Sequence, residues 1–254
     1  MTDSLFSLEG KKAIVAGGAG DLGTPMVAAL HDVGVEVAIL DVAESLGQVV
    51  ESLGDRGAPP VHGMHVNLAD RESLVRVFGQ AVSLLHRVDI LVNAQGIQRR
   101  FKAEEFPLSA WDEVIEVNLT SVFELCQLAG RHMLEKEYGK IVNIASMQSF
   151  NGGYTIAAYA ASKAGVAQIT KALSNEWAGR GVNVNAIAPG YMDTKMTAAV
   201  KGDPVRYPQI LARIPAGRWG IPADLCGALL FLASPASDYI SGVILPVDGG
   251  MLGA

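Results

Sequence analysis

Short apolar runs rich in β-branched residues alternate with stretches of helical spacing along the whole chain. Seven of these runs predict strands, at residues 11–16, 35–40, 60–66, 89–94, 140–145, 182–188 and 242–247. The segments between them predict helices over residues 22–33, 44–53, 71–85, 111–133, 159–178 and 223–232. Most strand runs are continuously apolar, which is typical of a parallel sheet that helices cover on both faces.

These patterns predict an α/β protein with a mostly parallel sheet of seven strands. The length of 254 residues, half of them hydrophobic, allows one large core, and we expect a single domain over residues 1–254. Residues 191–218 carry several prolines, and we expect this segment to form a lid over a site. The same alternation also fits a closed eight-stranded barrel, which periodicity alone does not separate from a doubly wound sheet.

Charge and composition narrow the classes of ligand. The formal net charge is −6, and the lysines and arginines are scattered except for the adjacent pair Arg99 and Arg100. This distribution argues against nucleic acid and anionic membranes as partners, and we expect a small-molecule substrate. The first residues lack a basic segment followed by a long apolar stretch, which favours a cytoplasmic protein. Cys126 and Cys226 lie in patterns typical of reduced core thiols, and the histidines form no metal-ligand pattern.

The turn between the first strand and the first helix reads VAGGAGDLG, from Val15 to Gly23. Gly18, Gly20 and Gly23 form the pattern G-x-G-x-x-G, at the place where a doubly wound, Rossmann-type sheet binds a dinucleotide. Glycine there allows a tight turn and lets backbone N–H groups approach a pyrophosphate at the start of the helix. Alone the pattern is weak, because any turn from strand to helix can carry glycines.

An acid follows the second predicted strand, as a doubly wound sheet requires. Asp41 lies about 20 residues beyond the glycines, where a carboxylate accepts hydrogen bonds from the adenosine ribose hydroxyls. Arg56 is the only lysine or arginine between residues 13 and 58, so no other cation there would offset a 2′-phosphate. The sequence therefore favours NAD over NADP as the cofactor. The alternative is that Asp41 only caps the following turn.

Tyr159 and Lys163, in the sequence YAASK, are four residues apart and share one face of a predicted helix. Ser146 lies at the end of the preceding strand, where its hydroxyl could hold a substrate oxygen. Tyr191 and Lys195 have the same spacing but follow a Pro-Gly turn in a predicted loop, where no helix brings the two side chains together. The first pair is therefore the better candidate.

The pairing of a tyrosine with a lysine has a chemical reason. A phenol has a pKa near 10 and is a poor base at neutral pH, but a nearby ammonium group favours its ionised form. Tyr159 could then exchange a proton with a secondary alcohol or ketone while hydride moves to or from a nicotinamide. The alternative is an ordinary amphipathic helix end, which the glycine turn and Asp41 in the same chain make the weaker interpretation.

Over nearly its whole length the chain resembles the short-chain dehydrogenase/reductase family. Five elements carry the resemblance: the turn at 16–23, NAQG at 93–96, Asn118 in EVNLTS, Ser146 with Tyr159 and Lys163, and PGYMDT at 189–194. It implies a catalytic tetrad of Asn118, Ser146, Tyr159 and Lys163, in which the asparagine holds a water that extends the proton relay and the lysine contacts the nicotinamide ribose. A second family role for the asparagine is to satisfy a neighbouring strand.

The resemblance also implies contacts with the cofactor. Thr194 and the backbone near Met192 would bind the nicotinamide carboxamide, and Asn67 would lie near the adenine. The implied cofactor positions are Gly17, Gly20, Asp21, Leu22, Gly23, Asp41, Asn67, Leu68, Asn93, Gly96, Tyr159, Lys163, Pro189, Gly190, Met192 and Thr194.

Two places depart from the family pattern. Ala16 stands where the family has threonine and Asp21 where it has its middle glycine, and NAQG has Ala94 and Gln95 where the family has asparagine and alanine. An acid in the first turn of a helix can cap free N–H groups. We therefore expect the Asp21 carboxylate to cap the first helix and to point away from the phosphates.

Longer stretches resemble the gluconate 5-dehydrogenases and 2-dehydro-3-deoxygluconate 5-dehydrogenases of this family, which act on carbon 5 of a sugar acid. The stretches are GIQRR (96–100), IASMQSF (144–150), NAIAPGYM (185–192), RIPAGRWG (213–220) and VDGGML (247–252). A sugar acid needs a cation for its carboxylate, which Arg99 or Arg100 could supply unless both are solvated surface residues. The hydrogen-bonding candidates for its hydroxyls are Ser146, Gln148, Asn151, Tyr154 and Tyr159.

Other functions remain open at this point. The same tetrad fits a reductase of another carbonyl compound, such as a 3-oxoacyl thioester or a cyclic ketone. A protein that senses NAD, or a scaffold without turnover, is the non-enzymatic alternative, although such proteins usually lack the tyrosine or the lysine. The resemblance further implies a homotetramer in which the helices that begin near residues 111 and 159 pack between subunits.

Overall fold

The computed structural model describes residues 5–57 and 59–254. One sheet of seven parallel strands, in the order β3-β2-β1-β4-β5-β6-β7, forms its centre. The strands are β1 (Lys12–Ala16), β2 (Glu36–Asp41), β3 (Val61–His65), β4 (Ile90–Asn93), β5 (Gly139–Ile144), β6 (Val182–Pro189) and β7 (Ile244–Val247). All seven predicted strands are confirmed. The sheet ends at β3 and β7 without closing, which excludes the barrel.

Helices cover both faces of this sheet. They are α1 (Gly23–Asp32), α2 (Leu46–Gly54), α3 (Arg71–Leu85), α4 (Leu108–Ile115), α5 (Ser121–Glu135), α6 (Ala157–Trp177), α7 (Ala198–Lys201), α8 (Arg206–Leu211) and α9 (Cys226–Ala233). Ile14 and Ala16 of β1 face a core with α3, α5 and α6, whereas Ala13 and Val15 face a core with α1, α2 and α9. Successive strand residues point to opposite faces, so burial on both faces explains the continuously apolar strands.

The winding of the sheet reverses beside β1. The chain runs outward from β1 to β2 and β3, then returns to place β4 on the other side of β1, with Ala16 paired to Asn93. The loops that leave these two strands therefore diverge and open a crevice at the carboxyl edge, which is where open α/β sheets bind ligands.

The single helix predicted over 111–133 is interrupted. α4 ends at Ile115, a π-helical turn spans Glu116–Thr120, and α5 begins at Ser121. A π turn inserts one extra residue and so shifts the apolar spacing by only one position, which the prediction of one continuous helix did not register. Asn118 lies in the middle of this turn.

The segment 191–218 packs on a small core of its own. Met147, Val200, Ile210, Ile214, Trp219 and Met251 form this cluster. Met147 follows β5 and Met251 follows β7, so the cluster lies over the carboxyl ends of these strands. Within residues 5–57 and 59–254, every helix is too short or too polar to cross a membrane.

Candidate active site

Four neighbouring strands deliver the candidate residues to one edge of the sheet. β1 leads into the glycine turn, β4 into the NAQG sequence, β5 into Ser146 and β6 into the Pro-Gly turn at 189–190. Because these strands are parallel and adjacent, in the order β1-β4-β5-β6, their carboxyl ends lie side by side. The ligand site predicted for this edge therefore has its residues in place.

The glycine turn is packed too tightly for side chains at two positions. Gly17 has a φ of +73°, and a Cβ atom on it would lie 2.6 Å from the backbone nitrogen of Gln95. A Cβ atom on Gly23 would overlap with the carbonyl oxygen of Gly17. α1 therefore begins directly against β1, with Leu22 before it. No side chain among the described residues accepts a capping hydrogen bond from its first N–H groups. Such N–H groups fit a pyrophosphate.

Asp41 is the last residue of β2 and only 8% exposed. Its Oδ2 accepts a hydrogen bond from the backbone N–H of Ala19 at 2.8 Å, and its Oδ1 accepts one from Ala43 at 2.9 Å. These contacts fix the carboxylate beside the glycine turn. The bond from Ala43 also matches the turn-capping alternative, but each oxygen retains a lone pair, so the two roles are compatible.

Tyr159 and Lys163 lie in the first two turns of α6, as their spacing predicts. Lys163 is 3% exposed, and its Nζ donates a hydrogen bond to the carbonyl oxygen of Ile144 at 2.6 Å. The same Nζ lies 5.9 Å from the centroid of the Tyr159 ring. A Cβ atom on Gly96 would lie 3.5 Å from that Nζ, so the backbone of NAQG forms one wall beside the lysine.

Ser146 follows β5 in an extended conformation and is 7% exposed. Its Oγ accepts a hydrogen bond from the backbone N–H of Gln148 at 3.1 Å and lies close enough to the Tyr159 phenol to lower the pKa of that group. The structure thus brings Ser146, Tyr159 and Lys163 together. This arrangement can hold an alcohol or carbonyl oxygen between the serine hydroxyl and the phenol.

Burial disfavours the charged form of both partners in this pair. It raises the pKa of Tyr159, against the opposing effect of the nearby Ser146 side chain. Burial also lowers the pKa of Lys163 to about 8. The sequence led us to expect that the ammonium group lowers the pKa of the phenol. Without bound ligands, the pKa of the phenol instead stays above its ordinary value. Lys163 stays largely protonated at neutral pH.

Both the oxygen and the nitrogen of the Asn118 side chain form hydrogen bonds within the protein. Its Oδ1 accepts a hydrogen bond from Ile97 N at 2.8 Å, while its Nδ2 donates to Ile97 O at 2.9 Å and to Ser162 Oγ at 3.1 Å. The second family role has the asparagine satisfy a neighbouring strand; here its backbone partner, Ile97, lies in the loop after β4. A π turn offsets backbone carbonyl groups from their usual helical partners, so the backbone at this turn is the part suited to hold a water.

The side chain of Asn93 is directed into the interior rather than toward the crevice. Its Nδ2 donates to Asn143 Oδ1 at 2.8 Å, and Asn143 in turn donates to Thr170 at 3.0 Å. The Asn93 side chain therefore joins β4 to β5, and a contact of this residue with the cofactor would come from its backbone. Its backbone remains at the crevice, as the last residue of β4.

The other expected cofactor residues lie along the same carboxyl edge. Pro189 ends β6, and Gly190 N donates to Val247 O at 3.0 Å. Met192 is 4% exposed, and Thr194 directly precedes a short 3-10 turn over Lys195–Thr197. Asn67 and Leu68 follow β3; the asparagine is exposed and accepts a hydrogen bond from Ala69 at 3.0 Å, and the leucine is buried.

The expected substrate residues differ in exposure and in whether their polar groups already bind another residue. Arg99 forms a two-pronged ion pair with Glu113, with N–O distances of 2.6 and 2.9 Å. In the described part of the chain, no carboxylate lies within ion-pair distance of Arg100, which makes it the better carboxylate ligand. Gln148 has a buried Oε1 without a described partner. Asn151 and Tyr154 are exposed, Tyr154 to 81%.

Sequence reasoning missed residues that hold the candidates in place. Ser149 donates from its Oγ to the carbonyl oxygen of Lys163 at 2.7 Å and pairs with Ser146 across a 3-10 turn. The Ser-x-x-Ser spacing could have indicated this contact. Ile97 holds Asn118 through its backbone alone, and nothing in its side chain could have revealed that.

Comparisons with known proteins identify the family. A short-chain dehydrogenase model described as enoyl-(acyl carrier protein) reductase matches residues 17–252. The chain belongs to the short-chain dehydrogenase/reductase family. A 2-dehydro-3-deoxy-D-gluconate 5-dehydrogenase of Bacillus subtilis (strain 168) is 46% identical over 97% of this chain and 96% of its own.

Solved structures agree with this assignment. A protein from Beutenbergia cavernae with NADP at low occupancy is 43% identical, with a TM-score of 0.95 over 98% of this chain and 100% of its own. A gluconate 5-dehydrogenase from Burkholderia cenocepacia J2315, in complex with NADP and tartrate, is 35% identical, with a TM-score of 0.95 over 100% of both chains. This short-chain dehydrogenase/reductase is therefore an oxidoreductase that uses a nicotinamide cofactor.

Asp21 does not have the role predicted for it. Its Oδ2 accepts a hydrogen bond from the backbone N–H of Lys195 at 2.6 Å, while the side-chain Nζ of Lys195 lies 3.9 Å from Oδ1. α1 has no side-chain cap from the described residues, so the capping prediction is wrong. The N–H group that Asp21 binds belongs to Lys195, a residue distant in the chain. Asp21 therefore joins the glycine turn to the start of the 191–218 segment.

The Asp21 contact predicts a local change in dynamics. Asp21→Ala removes one charge-assisted acceptor, and we expect amide hydrogen exchange at residues 195–201 to quicken by about tenfold in the cofactor-free protein. Asp32→Ala is the matched control, since Asp32 lies on α1 and pairs with Arg56. Equal exchange of residues 195–201 in the two variants would show that Asp21 does not restrain this segment.

Proposed function

We propose that this protein is an NAD-dependent dehydrogenase that acts on carbon 5 of a sugar acid of the gluconate or 2-dehydro-3-deoxygluconate type. The observation that carries the proposal is the group of Ser146, Tyr159 and Lys163 at the carboxyl end of β5. It is supported by the similarity of nearly the whole chain to the 2-dehydro-3-deoxy-D-gluconate 5-dehydrogenase of Bacillus subtilis, and by Arg100 in the loop after β4, which forms no ion pair with the described residues.

The glycine turn and the carboxyl edge would hold the cofactor. Gly17 and Gly20 shape the turn, since their own N–H groups bond to Leu40 O at 2.8 Å and Gly17 O at 3.3 Å. The backbone N–H groups of Leu22 and Gly23 would face the pyrophosphate, and Asp41 would bind the adenosine ribose. Asn67 and Leu68 lie toward the adenine, and Gly96, Pro189, Gly190, Met192 and Thr194 lie toward the nicotinamide. When bound, the cofactor supplies the hydride acceptor for alcohol oxidation or the hydride donor for ketone reduction.

The chain itself moves the proton. In alcohol oxidation, Ser146 holds the substrate oxygen by a hydrogen bond, and the ionised phenol of Tyr159 takes the hydroxyl proton as the carbon gives up its hydride. Lys163 stabilises the phenolate by its charge and binds the nicotinamide ribose. The backbone of the π turn at Asn118 holds a water that connects the lysine to solvent. Ketone reduction runs the same steps in reverse.

The preference for NAD is part of the proposal, although the two solved relatives carry NADP. Asp41 is fixed beside the ribose position by Ala19 and Ala43, so a 2′-phosphate would meet an anion that cannot turn away. Arg56 is paired with Asp32 at 3.1 Å, which leaves it unsuited to offset that phosphate. Electrostatic repulsion therefore favours NAD.

We also propose that the 191–218 segment is a lid, that the protein is cytoplasmic and that it forms a homotetramer. The separate small core of the segment supports the lid. Both cysteines are free, as in proteins of reducing compartments.

Leu108 on α4 and Phe123 on α5 are exposed to 78% and 44%, which supports burial of these helices between subunits. Light scattering tests the tetramer, and a lower mass would contradict it.

The proposed activity predicts a substrate profile. We expect the purified protein to reduce NAD with gluconate or its 2-dehydro-3-deoxy analogue, and to be much slower with 3-oxoacyl thioesters in the reverse direction. Tyr159→Phe removes the proton acceptor and should lower kcat by about 100-fold to 10,000-fold. Tyr239→Phe is the matched control, because Tyr239 is fully exposed. An inactive sugar-acid panel would reject the substrate class, and an active Tyr159→Phe would reject the catalytic assignment.

The role of Asp41 predicts a change of cofactor. Asp41→Asn keeps the size of the side chain but removes its charge, and we expect the ratio of kcat/KM for NADP to that for NAD to rise by about 10-fold to 100-fold. Glu44→Gln removes a neighbouring exposed charge and should leave the ratio unchanged. A wild-type preference for NADP, or an unchanged ratio in Asp41→Asn, would contradict the NAD proposal.

A further inference from the structure

Backbone hydrogen bonds close the 191–218 segment at its base. Asp193 N donates to Gly220 O at 2.8 Å, and Gly220 N donates to Tyr191 O at 2.9 Å. Met192 and Gly220 form a parallel β-bridge at the same place. The start of the segment is therefore tied to the residue that follows its end. Contacts beyond this base decide whether the segment stays over the carboxyl edge of the sheet.

One such contact comes from the glycine turn. Lys195 begins the 3-10 turn Lys195–Thr197, and the first N–H groups of a helical turn find no acceptor inside it. Within the described part of the chain, Lys195 N donates to one acceptor, Asp21 Oδ2, at 2.6 Å. Thr194 N instead donates inside the segment, to Thr197 Oγ1 at 3.2 Å. Asp21 therefore supplies, from the far end of the chain, the cap that the first turn of the segment needs.

Asp21 thereby joins two parts of the proposed cofactor site. The glycine turn lies where the pyrophosphate binds, and Thr194, the residue before Lys195, lies toward the nicotinamide. A dinucleotide that occupies both parts leaves the protein only when they separate. The hydrogen bond from Lys195 N to Asp21 resists that separation.

The space beside this contact is open. A cavity of about 420 Å³ lies between the glycine turn and the segment. Its lining consists of Asp21, Asp193, Thr194, Lys195, Ala198 and Pro222. Because side chains do not fill this corner, the link depends on the hydrogen bond. The Lys195 ammonium group adds little, since its side chain is 95% exposed and its Nζ lies 3.9 Å from Asp21 Oδ1.

Asp21 stands where the family pattern has glycine, in a turn that receives phosphates. A carboxylate there would weaken pyrophosphate binding by repulsion between like charges if it faced the ligand. Its Oδ2 instead accepts the Lys195 N–H, and its Oδ1 faces the ammonium group of the same residue. Glycine has no side chain that could make this contact. The observed geometry therefore favours a structural link over repulsion of the cofactor.

We propose that Asp21 is a positioning residue that holds the 191–218 segment over the bound dinucleotide, so that breaking its hydrogen bond with Lys195 N limits the rate at which the reduced cofactor leaves. The inference rests on the lid of the proposed function and on the nicotinamide cofactor. It does not depend on which alcohol the protein oxidises. Hydrogen bonds to a charged acceptor are among the stronger ones in proteins, so the loss of this one is large enough to change a release rate.

Release of NADH, followed by its fluorescence after rapid mixing with excess NAD, tests the link. Asp21→Ala should speed release by about tenfold, because the segment loses its cap. Asp21→Asn keeps an acceptor for the Lys195 N–H and should stay within about threefold of the wild type. Asp193→Asn is the matched control and should stay within about twofold. Asp193 lines the same cavity but pairs with Lys201 inside the segment.

Hydrogen exchange shows whether the segment carries the effect. With NADH bound, we expect amide exchange at residues 195–201 to be slower than in the free wild-type protein, and Asp21→Ala to lose most of this protection. Circular dichroism checks that each variant is folded. NADPH and NADP serve in the same experiments, because the link does not involve the 2′ position of the ribose.

The two Asp21 variants separate the link from charge repulsion. Release from Asp21→Ala that is as slow as that from the wild type, or slower, would overturn the inference. Equal release from Asp21→Ala and Asp21→Asn would also overturn it, since the hydrogen bond would then not be the link. Turnover of gluconate with unchanged NADH release in Asp21→Ala would leave the proposed substrate standing. Faster release in Asp21→Ala, from a protein whose wild type oxidises no sugar acid, would reject that substrate and leave the link standing.

Discussion

A buried ammonium group without a carboxylate partner is the constraint on which the site depends. Lys163 is 3% exposed and has one carbonyl oxygen, that of Ile144, at 2.6 Å, and no ion pair in the described part of the chain. Burial of an uncompensated charge destabilises a protein, and a lysine without function would have been expected at the surface. We therefore infer that the buried lysine serves ligand binding and catalysis rather than stability.

The fold supplies what this charge requires. β5 ends beneath the lysine, so its last carbonyl oxygen accepts the hydrogen bond, and the next loop positions Ser146. The π turn at Asn118 holds the loop after β4 on the opposite side. The positive lysine and the glycine turn both favour anions or developing negative charge. A dinucleotide and a sugar acid are ligands of that kind.

The sequence predicted the strands, most helices and the catalytic group because each depends on local spacing. Continuous apolar runs specify buried parallel strands, and four-residue spacing places Tyr159 and Lys163 on one face of α6. Sequence patterns did not reveal contacts between residues remote in the chain. Asp21 bonds to an N–H group 174 residues away, and the Asn93 side chain joins Asn143 across the sheet. No local pattern encodes such contacts.

We infer that the charge of Lys163, together with that of an oxidised nicotinamide, makes Tyr159 a base. Burial alone raises the pKa of the phenol and lowers the pKa of the lysine to about 8, so ionisation at working pH requires the assembled complex. The direct test is the pH profile of kcat/KM for gluconate oxidation at saturating NAD. We expect the value to rise with pH and to level off at an apparent pKa below about 10, the ordinary value of tyrosine, with the plateau displaced to higher pH in Lys163→Met. A profile that still rises above the ordinary tyrosine value, or one that Lys163→Met leaves unchanged, would contradict it.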